Sequence, residues 1–279
     1  MQKSAKFLPT AISEAKSRGW DQLDIILITG DAYVDHPSFG AAIVGRFLES
    51  LGVRVGIIAA PDINSLDDFS KLGRPEWFFG VTAGNLDSMM MKKTANKKNR
   101  SDDAYLPKDS SIQRPTRATI AYCNALKKLF KGTEILIGGV EASLRRFAHY
   151  DYWDNKVRRS ILFDTRADLL VYGMAENPLN KIIEYAKKGV SLKKMVDIPG
   201  TATVLGREDI SKENKEALQL PSFEEVSTDK KAYTLSSKLI HLNLNPWSSK
   251  TLLQAHGNRF LKVLPPSPPL SEKEMDTIY

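Results

Sequence analysis

Five short, uninterrupted apolar runs constrain this chain more than any other feature. They are Ile25–Thr29, Val53–Ala59, Trp77–Val81, Glu134–Ile137 and Asp168–Tyr172. None shows the in–out alternation of a strand with one wet face, so each reads as a parallel strand covered on both sides. Helical patterns fall between them. In "SFGAAIVGRFLESLG" the residues Ala42, Ile43, Phe47, Leu48 and Leu51 lie near one stripe, Ser38 sits at an N-cap place, and Gly52 stands where a C′ glycine belongs. A short crossover over Leu66–Leu72, a helix in "RATIAYCNALKKLF", a fourth crossover over Glu141–Phe163, and "ENPLNKIIEYAKKG" with Ile182, Ile183 and Ala186 inward complete the alternation. Repeated strand–helix units with right-handed crossovers specify an α/β fold. We expect a doubly wound, mostly parallel five-stranded sheet, ordered 2-1-3-4-5 or, failing that, 3-2-1-4-5.

This Rossmann-like domain is expected over residues 1–190, with an irregular basic insertion at about 86–115. Residues 191–264 read as a smaller α+β extension. There "DIPGTATVLG" suggests a turn and a short strand, "TDKKAYTLSSKLIHLNL" a helix, and "TLLQAHGNRFLKVLPP" a hairpin turning at Gly257-Asn258. Residues 265–279 form a proline-rich linker, and Ser271-x-x-Glu274 opens a helix that ends almost at once, so the chain reads as truncated.

At 279 residues folding can bury roughly 75% of the extended-chain surface, so no disulfide or metal staple is required. The single cysteine, Cys123, excludes a disulfide framework and any three-cysteine metal or iron–sulfur site within this chain. The N-terminus lacks a signal-peptide pattern, and no stretch approaches the roughly 18 apolar residues of a membrane span. A soluble, cytoplasmic protein without membrane contact is expected. Part of the net charge of +7 sits in "KKTANKKNR", Lys92 to Arg100. That cluster suits either a nucleic-acid partner or a solvated loop beside Asp102-Asp103.

Open parallel sheets bind ligands outside the C-terminal ends of their strands. The first strand is followed there by Asp31, Asp35, His36 and Ser38, the third by Thr82, Gly84 and Asn85, and the fourth by Gly138, Gly139 and Glu141. Glycine lets a backbone approach a ligand closely, so these loops are expected to face a crevice. Neither a dinucleotide G-x-G-x-x-G nor a P-loop occurs. Asp31, Asp35 and His36 could join a metal site only with further ligands, and capping of the turn by Asp35 or His36 is the plainer role. The densest stretch is "EASLRRFAHYDYWDNKVRRSI". Read as helix, it pairs Arg145 with His149 and Arg146 with Tyr150 at i, i+4, as an anion site with stacking faces would. The same arginines could instead hold elements together through Asp151, Asp154 and Asp164.

The strings "GDAYVDHPSFGAAIVGRFLESLGVRVGIIA", "FFGVTAGNLDSM", "RSDDAY", "GGVEASLRRFAHYDYWDNKVRRSIL" and "ADLLVYGMAE" closely resemble the N-terminal region of the YgiQ-like radical-SAM proteins. "LPPSPPLSEKEMDTIY" resembles the lead-in to the radical-SAM barrel. The resemblance implies a parent enzyme whose C-x-x-x-C-x-x-C motif carries a [4Fe–4S] cluster and binds S-adenosylmethionine. That motif is not in this sequence, so the chain is expected to hold no cofactor and to do no radical chemistry alone. Its partners would be its own missing barrel and an unknown substrate, RNA among the possibilities. The layout is also similar to cobalamin-binding domains, with Thr82 and Gly138-Gly139 in the expected places. Asp35-His36, however, are adjacent, and His36 lies four residues before Gly40, which departs from D-x-H-x-x-G. Three readings stand: an accessory domain of a radical-SAM enzyme, a stand-alone module for RNA or phosphate ligands, and a cobalamin-binding domain.

Overall fold

The computed structural model describes residues 7–107, 112–210 and 217–278. Residues 108–111 of the expected insertion lie outside the described residues, as do the start of the chain and Tyr279. The molecule divides into two units, residues 1–135 with 272–279, and residues 136–271.

In the first unit β1 (Ile25–Thr29) runs parallel to β2 (Val55–Ala59) on one side and β3 (Phe78–Thr82) on the other, with Ile25 opposite Val55 and Phe78. Every residue of β1 is buried, as its unbroken apolar run requires. The order 2-1-3 is the one expected. Between β1 and β2 the helix Gly40–Ser50 turns Ala42, Gly45 and Leu48 inward, and Gly52 at φ +77° ends it. Its N-cap is Phe39, which makes no side-chain cap bond, rather than Ser38. Ser38 instead precedes the cap, in a turn where its backbone N–H donates to His36 Nδ1, 3.1 Å away. Further along, the helices Leu66–Ser70 and Ala118–Leu129 contribute Phe69 and Tyr122 to the core, their ring centroids 5.8 Å apart. The thiol of Cys123 is buried in the second of them.

The chain passes from one unit to the other within β4 (Glu134–Ile137). The second unit holds β5 (His149–Asp151), β6 (Lys156–Arg158), β7 (Leu169–Val171), β8 (Thr201–Leu205), β9 (Leu218–Leu220), β10 (Leu252–His256) and β11 (Arg259–Val263). There β4 pairs in parallel with β7, the fourth and fifth strands of the expected set. The succession then turns antiparallel, β7 to β8, β8 to β11 and β11 to β10, before β9 pairs in parallel with β10.

Among the described residues nine strands, not five, enter the α/β architecture: β1 to β3 in the first unit, β4 where the chain passes between units, and β7 to β11 in the second. The additional four are the short strand (β8) and the hairpin (β10 and β11) expected of the extension, here paired onto β7, together with β9. Thr203, Gln254, His256 and Lys262 on β8, β10 and β11 are buried polar side chains, so no apolar run marks these strands as sheet members. Gln254 is fully enclosed, accepting from Ala148 N at 2.9 Å and donating to Pro221 O at 3.1 Å. The hairpin across Gly257, at φ +63°, has the register expected, with His256 opposite Arg259.

A second correction concerns the crossover from Glu141 to Phe163. Two short helices, Gly139–Leu144 and Ile161–Thr165, flank an antiparallel hairpin of β5 and β6. The first helix stops at Arg145, and Asn155 takes a left-handed turn at φ +52°. Tyr150 then faces Val157, a cross-strand pair of residues that suit pleated backbone. The i, i+4 pairing of Arg145 with His149 and of Arg146 with Tyr150 is therefore not helical.

Downstream, Glu176–Lys187 buries Leu179, Ile182, Ile183 and Ala186, and Lys230–Leu242 is helical as expected. No helix of the described residues is long and apolar enough to cross a membrane.

Candidate functional site

The strand ends of the first unit are organised around a residue that sequence reasoning did not single out. Arg114 has a side chain only 1% exposed, at the far end of the insertion. Its Nε donates to Asp103 Oδ2 at 2.7 Å, and its Nη2 lies 2.8 Å from Asp31 Oδ1 in an ion pair without hydrogen-bond alignment. Nη1 donates to the carbonyl of Ala83. One buried guanidinium thus ties the loops after β1 and β3 to Asp103 within the insertion. Burial opposes its charge, but Asp103 and Asp31 outweigh that and hold the proton more firmly than usual. For Asp31 burial dominates and raises the carboxyl, with the Asn85 N–H and Arg114 pulling it back.

Asp31 and Asn85 are brought together as the topology suggested. Asn85 N donates to Asp31 Oδ2 at 2.7 Å, its Nδ2 to Ser38 O at 3.2 Å, and its Oδ1 accepts from Gly40 N at 3.0 Å. Thr82 Oγ1 accepts from Gly84 N at 3.2 Å and closes the turn after β3. Ala32 N donates to Tyr105 O at 2.9 Å, and the Tyr105 ring meets Phe39 edge-on at 6.2 Å. What remains between these loops is a recess lined by Thr29, Asp31, Tyr33, Phe39, Ile57 and Asn85, with room for little more than one water.

The glycines here permit a close approach, but to the chain's own arginine. A Cβ on Gly84, at φ +113°, would collide with the Asp31 carboxylate and lie 2.8 Å from Arg114 Nη1. Gly84→Ala is expected to cost about 1–3 kcal/mol through strain and displacement of this cluster, read as a lowered urea midpoint. An unchanged midpoint would mean the cluster yields without penalty.

Asp35 and His36 do not converge. Asp35 accepts a side-on fork from Arg46, whose other end reaches Glu49 at 2.7 Å; Arg46 draws the Asp35 carboxyl below its usual range. His36 is exposed and caps its own turn through Ser38 N. Within the basic segment, Lys93 Nζ bonds Asn99 at 2.6 Å and Arg100 Nε bonds Met90 O at 2.9 Å.

In the second unit, Gly138 is extended at φ −159° as the N-cap of the helix after β4, and Gly139 follows at φ +82°. Glu141 is 1% exposed. Ser143 Oγ accepts from Gly173 N, the residue just past Tyr172 at the end of β7, at 3.4 Å. Arg145 N closes the helix on Ala142 O at 3.2 Å. Arg146 lies over Tyr172, 4.5 Å from the ring centroid, and 5.0 Å from the Phe147 ring.

His149 Nδ1 is 3.0 Å from Phe147 O, and burial lowers this imidazole's affinity for a proton. Tyr150 is exposed; its N–H donates to Tyr233 Oη at 3.1 Å, and its hydroxyl donates to Asn155 Oδ1 at 2.6 Å. The second arginine pair has a structural role. Arg158 reaches Asp154 at 3.1 Å and Asp164 at 3.0 Å, and Arg159 reaches Asp164 at 2.7 Å. Arg114 was missed because it is one of several arginines in a polar segment, with Arg100 and Arg117 nearby, far along the chain from Asp31. The only signal was that Arg114 and the acidic Asp102-Asp103 share the same insertion.

A family model described as Radical SAM N-terminal matches residues 7–279. A UPF0313 protein of Clostridium botulinum (strain ATCC 19397 / Type A) is 51% identical over 273 residues, covering 98% of this chain and 42% of that protein. A UPF0313 protein of Clostridium perfringens (strain ATCC 13124) is 47% identical over 274 residues, again covering 98% of this chain and 41% of the relative. The chain thus spans about two fifths of the length of the curated relatives it matches. No solved structure matches it.

Proposed function

Because the chain belongs to the Radical SAM N-terminal family, we propose that it is the accessory N-terminal part of a radical-SAM iron–sulfur enzyme, contributing contacts to the substrate or to the barrel. The observation that carries this reading is the family match over residues 7–279, in relatives more than twice as long. The chemistry of the donor set agrees with a division of labour. A [4Fe–4S] cluster held by three thiolates does not fit this chain, whose one cysteine, Cys123, is buried in the helix Ala118–Leu129. No group of three His, Cys, Asp or Glu side chains suited to a metal occurs among the described residues. Cluster and S-adenosylmethionine would therefore be held elsewhere in the parent protein, and this chain would shape and position.

The test is anaerobic reconstitution with iron and sulfide, carried out on this chain and on a full-length relative in parallel. The full-length protein is expected to gain cluster absorbance and to cleave S-adenosylmethionine reductively, and this chain to do neither. Stoichiometric cluster formation by this chain, or a full-length protein that binds no cluster, would sink the reading.

A further inference from the structure

Among the described residues, Arg146 is a cation at the second unit's strand ends that has been desolvated without receiving a counter-charge. Its Nη1 donates to Ser143 O at 2.6 Å. Its Nε is buried with no hydrogen-bond partner, and among the described residues no carboxylate comes within ion-pair reach. Arg158 and Arg159, in the same segment, each meet at least one aspartate. Taking an unpaired guanidinium out of water is costly, and burial here loosens its hold on the proton. Tyr172 beneath it cannot balance the charge. Burial keeps that phenol protonated, and its hydroxyl is already spent on Leu264 O.

The position matters as much as the charge. Arg146 follows the helix that leaves β4, and Tyr172 follows β7, so both stand at the C-terminal ends of adjacent parallel strands. Apolar side chains are exposed on the helix after β4 and in the loop after β7: Val140 at 43%, Leu144 at 62% and Met174 at 59%. Exposed aliphatic surface beside an unmatched fork suits a ligand with both characters.

We infer that Arg146, seated on Tyr172 and Phe147, anchors a binding site for an oxyanion borne on an apolar group, such as a carboxylate or a phosphate monoester. The stack fixes the guanidinium plane, and the Nη edge not taken by Ser143 receives the anion. The site concerns the second unit alone, so its failure would leave the cluster test untouched.

Benzoate and phenyl phosphate serve as probes, titrated into this chain by calorimetry at constant ionic strength against chloride. Saturable one-to-one binding is expected, weakened about tenfold or more in Arg146→Lys, because an ammonium cannot present a planar fork. Arg158→Lys, whose parent guanidinium is already occupied by aspartates, should bind like the wild type. Circular dichroism verifies that each variant folds. If Arg146→Lys does not, the shift of an arginine Nε–H resonance in the wild type on adding benzoate decides the matter. Absence of saturable binding, or binding that survives Arg146→Lys, overturns the inference. Repeating the titration on a full-length relative with the equivalent arginine identifies the source of the anion. Retained binding indicates a free ligand, and occlusion indicates a carboxylate supplied by the remainder of that protein.

Discussion

Arg114→Met is expected to lower the unfolding free energy by about 3–5 kcal/mol. The substitution keeps the volume but leaves Asp31 and Asp103 facing each other with no cation between them. Asp31 is 3% exposed and Asp103 has a side chain 14% exposed, so water cannot compensate. It also removes the donor to Ala83 O. Asp103→Asn should cost less, since Asp31 keeps its ion pair at 2.8 Å. Urea denaturation of the three proteins checks this. A loss below about 1 kcal/mol in Arg114→Met would place the cluster in the class of surface pairs instead.

The second large effect is a fall in stability on acidification, centred on His256. This imidazole is 8% exposed and lies between Phe163, at 4.3 Å, and Phe223, at 5.4 Å, with neither ring nitrogen hydrogen-bonded. Burial, with Arg159 nearby, lowers its pKa from 6.5 to about 4, Asp164 acting the other way. Between those values the unfolded chain binds the extra proton and the folded chain does not. Stability therefore decreases as pH falls from about 6.5 to about 4, by about 3 kcal/mol in total, and is flat above that window for this group. His149, also lowered by burial, works in the same sense, whereas the raised Asp31 carboxyl works against it. His256→Phe isolates the contribution. It should match the wild type at pH 7 or exceed it, and should lose most of the acid dependence. An equally steep decline in the variant would assign the effect to other groups.

The parallel part of the sheet was legible because strands covered on both faces read as near-continuous apolar runs, and β1 and β3 do, up to the threonine that ends each. The helices Gly40–Ser50 and Glu176–Lys187 were legible from their stripes. The strand β8 and the hairpin β10–β11 were legible as such, but their pairing onto β7 was not, because enclosed Gln254 and His256 look like solvent-facing residues until their environment is known; β9 was not legible at all. The hairpin β5–β6 was misread for a different reason. Arginines and aromatics three to five positions apart satisfy a helical pattern and a tight β-turn equally well. At the site, Asn85 beside Asp31 followed from topology alone. The Arg114 pairing could not, since nothing local distinguishes a buried arginine from a solvated one.

The Arg114 clasp has a consequence for how the chain can vary. Asn85 is held to Asp31 and Asp103 to Arg114, so the stretch between 85 and 103 leaves and rejoins the cluster at fixed points, and its tip closes through the bridge of Lys93 with Asn99. Lengthening a loop between fixed points costs only about 0.6 kcal/mol for each doubling of its length. That increment is small against the ion pairs that pin its ends. The length of the tip is therefore nearly decoupled from the integrity of the strand ends, and insertions there can change this basic surface while β1 and β3 keep their register.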